Sequence, residues 1–262
     1  MRVVLPFRKH DEFGTAFFVE VGTYQERRQY LVTAGHVIAE AEEGSLFFLT
    51  RPTTDMPAPF IEFRKRSGFS KLWHRPADDS LDLAIAEYYP RGEIGDFIAD
   101  KNIDVVAQPL WDVRDDHQTT HYAMRDIRQH YAPLEEVLFV GYPEGLWDPD
   151  SGFPIVRRGV SATPIDSDYR SKPVFLIDAA VMPGSRGSPV VVADRELVVP
   201  SDHEAKTWGY RTRSDERFVF LGMITDLEMR PGRATYLNLG VVLKASAIFD
   251  FIAEYEKHEL PS

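Results

Sequence analysis

An all-β fold, a barrel or a sandwich, is what this sequence predicts, and three observations predict it. Short runs of β-branched, aromatic and other apolar residues recur along the chain. Glycine or proline punctuates nearly every gap between them, including Gly22, Gly44, Gly68, Pro90, Gly92, Pro143, Gly145 and Pro154. The length, 262 residues, is one that all-β barrels and sandwiches reach as a single domain. No fixed-period repeat or low-complexity tract divides it.

Taken in order, the runs predict strands over 15–21, 30–32, 46–49, 83–87, 137–140, 155–156, 174–177, 190–192, 218–224 and 235–239. The charged stretch 24–30 lies between the first two and reads as a hairpin tip. Residues 112–132 are polar and rich in His, Arg and Asp, and read as a connection between two halves. Residues 200–217 are polar around Trp208 and Tyr210 and read as a long surface loop or an added hairpin. Ile248, Phe251, Ile252 and Tyr255 fall at helical spacing behind Ser246, which predicts one C-terminal helix over 246–258 with Ser246 as N-cap.

Composition removes several function classes. The net charge of −11 argues against general nucleic-acid binding, which needs a positive face. There is no cysteine, so disulfides and thiolate-bound zinc are excluded. No run of 18 apolar residues is present, so no membrane span is expected. The first ten residues lack the apolar core of a signal peptide, so a cytoplasmic location is expected.

Three segments carry chemistry when taken together. Tyr30-Leu-Val-Thr-Ala-Gly-His36 is an apolar strand that ends in small residues and then delivers an imidazole. The small residues let a neighbouring loop come close. Asp79-Ser-Leu-Asp82-Leu-Ala-Ile puts Asp82 at the mouth of an apolar strand. A carboxylate beside an imidazole fixes its tautomer and stabilises the imidazolium during proton transfer. Gly184-Ser-Arg-Gly-Ser-Pro189 is a glycine-bearing loop whose amides can converge on one point and hold a developing oxyanion. Singly, these also read as a structural histidine, a turn-capping aspartate and an ordinary turn.

In this order they resemble the trypsin-like, chymotrypsin-fold serine proteases, most of all the bacterial Htr/Deg-type and related small members. Gly14-Thr-Ala-Phe-Phe-Val19 is similar to the family's first core strand, and Val140-Gly-Tyr-Pro-Glu-Gly145 to the opening of its second barrel. Gly159-Val-Ser-Ala162, Asp178-Ala-Ala180 and Leu221-Gly-Met-Ile224 match later strands and the lead into the nucleophile loop. The resemblance implies two six-stranded antiparallel β-barrels with the site between them, followed by the C-terminal α-helix. The chain would then be one peptidase domain over 1–262: a first barrel over 1–110, a connection over 111–135, a second barrel over 136–245, and the helix over 246–258. It also implies His36 as general base and Asp82 as its orienter. The amides of Gly184 and Arg186 would form the oxyanion hole. Ala180 would lie near the base of the specificity pocket, and Gly222 on the strand that lines the substrate cleft. A peptide or protein is the implied partner, and no cofactor is required.

The departure falls on the nucleophile, where Arg186 stands in place of serine. A guanidinium is protonated at ordinary pH and cannot attack a carbonyl. Asp82 is a nearby carboxylate for it. Three readings follow: a pseudoprotease kept for peptide or protein binding or for regulation; a displaced nucleophile, Ser185 or less readily Ser188; or an arginine substituted into an active enzyme. Two metal motifs are weak. His117-Gln-Thr-Thr-His121 lacks the glutamate that a zinc peptidase places after the first histidine. Asp148-Pro-Asp-Ser-Gly152 opens like a calcium loop but reaches Gly159 where glutamate belongs, so a turn is the better account. No metal is expected.

Overall fold

The computed structural model describes residues 4–9, 12–22, 27–50, 60–78, 81–89, 92–101, 134–148, 150, 152–198, 213–229 and 236–259. The predicted connection 112–132, with His117 and His121, lies outside the described residues.

Six strands come first: β1 (Val4–Lys9), β2 (Glu12–Val21), β3 (Arg28–Thr33), β4 (Gly44–Leu49), β5 (Phe60–Lys65) and β6 (Ala84–Tyr89). They form one antiparallel sheet in the order β5-β4-β1-β2-β3-β6. A short turn of helix, α1 (Gly35–Ile38), follows β3, and α2 (Glu93–Asp100) follows β6. The second set is β7 (Glu136–Gly141), β8 (Ile155–Ser161), β9 (Val174–Asp178), β10 (Pro189–Val198), β11 (Arg213–Met229) and β12 (Tyr236–Lys244). It closes into a barrel in the order β10-β11-β12-β9-β8-β7. The last helix, α3 (Ala245–Glu259), starts directly from the end of β12.

The hydrophobic pattern explains both layers. Thr15, Ala16, Phe17, Phe18 and Val19 are all buried, because β2 sits in the middle of its sheet with packing on both faces. Phe17 meets Phe220 of β11 edge to face at 5.4 Å, which ties the sheet to the barrel. One apolar core runs from the sheet into Tyr142, Val191, Phe220 and Met223 and on to Ile248, Ile252 and Tyr255 of α3. A second fills the barrel around Val137, Phe175, Ile177, Leu221 and Val242. Each fully buried aliphatic or aromatic side chain contributes about 1.5–3 kcal/mol.

The helix is where the 3.6-residue spacing placed it, and its stripe is buried. Ser246 is not its cap: the helix begins at Ala245, so Ser246 lies inside the first turn. Polar contacts fix the helix on the sheet. Tyr30 donates to Glu256 at 3.0 Å, and Arg28 pairs with the same carboxylate at 3.4 Å. Tyr255 donates to Glu87 at 3.1 Å and lies 3.1 Å from His74 Nε2.

Among the described residues, β1, α1, β5 and α2 were not expected. The polar segment read as a loop or hairpin is partly strand, since β10 and β11 stay paired out to Val198 and Arg213. Residues 200–212 lie outside the described residues. Among the described residues, no helix is long and apolar enough to cross a membrane.

Candidate active site

β3 carries the chain to Thr33, and α1 turns it so that His36 faces the gap between sheet and barrel. Gly35 makes a close approach there. A Cβ at that position would lie 3.0 Å from Leu83 O and 3.3 Å from Asp82 Oδ1. Asp82 comes in just before β6 and holds the histidine twice. Its Oδ1 accepts from the His36 amide at 2.7 Å, and its Oδ2 lies 2.6 Å from His36 Nδ1. With Nδ1 committed to the carboxylate, the neutral ring carries its free lone pair on Nε2. Among the described residues, Nε2 has no hydrogen-bond partner.

The glycine loop crosses from β9 to β10 and is pinned by Thr15 of β2. The buried Thr15 hydroxyl donates to Gly184 O at 2.9 Å and accepts from the Tyr142 amide at 3.1 Å. The Thr15 amide donates to Arg186 O at 2.9 Å. Gly187 lies against the same backbone at φ +87, where a Cβ would come within 1.8 Å of Thr15 O. Only glycine fits that contact and that left-handed conformation.

The loop's amides divide into two sets. Ser185 N donates to Met182 O, Gly187 N to Ile224 O, and Ser188 N to Ser185 O, at 2.7–3.0 Å. The amides of Gly184 and Arg186 have no acceptor among the described residues. These are the two donors expected to form an oxyanion hole. They lie on a loop bordering a cavity of about 310 Å³ lined by Phe13, His36, Val37, Glu144, Pro183, Gly184 and Arg186.

The Arg186 side chain does not reach Asp82, contrary to expectation. Both Asp82 oxygens are already taken by His36, and Arg186 Nη2 pairs instead with Asp226 Oδ1 at 3.0 Å. Asp226 stands on β11 at a bulge in the ladder with β12. The β10 ladder ends at Pro189↔Met223, so among the described residues β11 is laddered only to β12 from Thr225 onward. Ser185 and Ser188 are 1% and 0% exposed, and their hydroxyls have no hydrogen-bond partner among the described residues. Both are packed inside, and neither lines the cavity. Ala180 is exposed and Gly222 is buried within β11, and they too are absent from the cavity wall.

Sequence reasoning missed Thr15, Phe13, Glu144 and Asp226. Thr15 and Glu144 sit inside motifs read only as strand and turn, and Asp226 lies two residues beyond the matched Leu221–Ile224 run. The Asp148 turn is real: its side chain accepts from Asp150 N at 3.1 Å and its carbonyl from Gly152 N at 2.7 Å. Among the described residues, no group of three or more metal-ligating side chains converges.

Among solved structures, an inactive-form mutant of Rv3671c from M. tuberculosis is 15% identical, covering 99% of this chain and 89% of its own, with a TM-score of 0.49. The MamO protease domain from Magnetospirillum magneticum is 15% identical, covering 95% and 94%, with a TM-score of 0.48. A serine endoprotease from Yersinia pestis is 13% identical with a TM-score of 0.48; the match covers 97% of this chain but 63% of that longer one. No curated protein sequence matches. The family profile described as a trypsin-like peptidase domain matches residues 14–198. That match spans more than half of the chain and contains His36, Asp82 and the glycine loop, so this chain belongs to the trypsin-like peptidase family.

Proposed function

We propose that this chain is a trypsin-like peptidase in which Arg186 has silenced acyl transfer, and that its cleft holds a peptide without cutting it. The observation that carries this reading is that, among the described residues, no hydroxyl is bonded to His36 Nε2: the slot residue is an arginine turned to Asp226, and both neighbouring serines are buried. The ancestral chemistry needs a hydroxyl to give its proton to Nε2, attack a carbonyl and form an ester, with the two amides holding the oxyanion. Loss of the nucleophile costs roughly 10⁶ in turnover. The edge of β11 beyond Thr225, which has no second strand partner among the described residues, supports strand addition by an extended peptide.

A second reading, an enzyme one substitution away from activity, is favoured by the retained His36–Asp82 pair and the two open amides. The test is the intact mass of this chain and of Arg186→Ser after treatment with a fluorophosphonate. We expect an adduct on the serine variant only. An adduct on the unaltered chain, mapped to Ser185 or Ser188, would overturn the silenced reading. No adduct on either would remove the one-substitution reading and leave peptide binding.

A further inference from the structure

The geometry points to a carboxylate, presented by a peptide, as the group this cleft receives; the inference rests on the peptide-holding reading above. A serine in the slot would be neutral, and the two amides would meet negative charge only transiently. Arg186 changes that balance. A permanent cation on a residue that lines the same cavity as Gly184, with two amide donors that have no acceptor among the described residues, complements a permanent anion.

The donors are free to act. A guanidinium carries five N–H groups. One nitrogen of Arg186 bonds Asp226, and the others have no partner among the described residues. The bond in place is a single contact to a carboxylate that is 61% exposed, the kind of pair that solvent makes weak. An incoming carboxylate can share the guanidinium or displace Asp226, and Asp226 itself shows the chemistry that Arg186 accepts.

The surrounding carboxylates oppose a dianion more than a monoanion, which limits the ligand to a single charge. Glu144 lines the cavity with His36 and Arg186, and Asp82 and Asp226 are bonded to those two residues. A dianion such as phosphate would meet roughly twice the repulsion of a carboxylate. The cavity, about 310 Å³, has Phe13 and Val37 on its apolar side, room for one residue and its carboxylate.

The carboxylate can be a chain terminus or an Asp or Glu side chain, and the experiment separates them. The ¹⁵N-labelled full chain is titrated with N-acetyl-tetraalanine as free acid, with its C-terminal amide, and with N-acetyl-Ala-Ala-Glu-Ala amide, following the Gly184 and Arg186 amides by NMR. We expect at least one carboxylate peptide to bind about ten-fold or more tightly than tetraalanine amide, the size of one charge-assisted hydrogen bond. The tighter of the two identifies the source. Arg186→Gln is expected to remove that advantage, so that on this variant the acid and amide peptides bind alike. Asp226→Asn, which frees the guanidinium, is expected to strengthen acid binding, a gain that misfolding cannot imitate. Equal binding of acid and amide peptides overturns the carboxylate inference and leaves the peptide reading standing. No shift with any peptide at millimolar concentration overturns both.

Discussion

Thr15 does more for the site than any residue that lines it. One buried threonine gives the loop a hydroxyl donor at Gly184 O, an amide donor at Arg186 O and an acceptor for Tyr142 N. Thr15→Val keeps the shape and deletes the hydroxyl, removing the donor to Gly184 O and the acceptor for Tyr142 N. Unpaired buried groups cost about 1–3 kcal/mol each. We expect the unfolding free energy from urea titration to fall by an amount in that range, with the Gly184 amide resonance broadened; an unchanged value would show that water replaces the hydroxyl. The histidine, the aspartate and the glycine loop were legible because each sits in a short contiguous motif. The Arg186–Asp226 pair was not. Its members are 40 residues apart, and the direction of a long side chain depends on which carboxylates are already occupied. Asp82 looked available in sequence and is saturated in space.

Among the elements, α3 shows how pattern and polar contacts divide the work. Its apolar stripe was legible from spacing alone, while the hydrogen bonds that orient it join residues far apart in the chain, such as Tyr30 and Glu256. The missed elements have physical reasons too. β1 carries Pro6, Arg8 and Lys9, and β5 interleaves Glu62 and Arg64, so neither reads as an apolar run. In α2 the periodic Ile94, Phe97 and Ile98 are interrupted by Gly95, which weakens a helical signal. The Tyr30 hydroxyl is held well above its ordinary pKa, first by burial and then by the charge and hydrogen bond of Glu256, against the opposing pull of Arg28. Because the folded value is raised, the unfolded chain loses this proton first, above about pH 10. The helix-docking contribution is full below that pH and declines as pH rises further. We expect unfolding midpoints measured between pH 8 and 11 to drop less steeply for Tyr30→Phe than for the unaltered chain. Parallel slopes would remove Tyr30 from the account.

At the level of the whole molecule, the family match stops at residue 198, but the barrel does not. β9 pairs with β12, and β10 pairs with β11, so the last two strands are what close it. A chain ended at residue 198 keeps His36, Asp82 and the loop, yet exposes the partner edges of two strands and the core face under α3. We expect it to show no cooperative urea transition by circular dichroism; a cooperative transition near the full chain's midpoint would mean that the first sheet supports the loop unaided.

The Thr15 contact also sets an order of assembly in time. Thr15 and Gly184 are 169 residues apart, whereas His36 and Asp82 are 46 apart and belong to the same sheet. During synthesis at about 5–20 residues per second, the sheet is complete on the order of ten seconds before β11 and β12 exist to close the barrel. The imidazole and its carboxylate are therefore built first and wait for the amides and the guanidinium to arrive. A nascent chain holds half a cleft, and the peptide capture proposed above needs the finished chain.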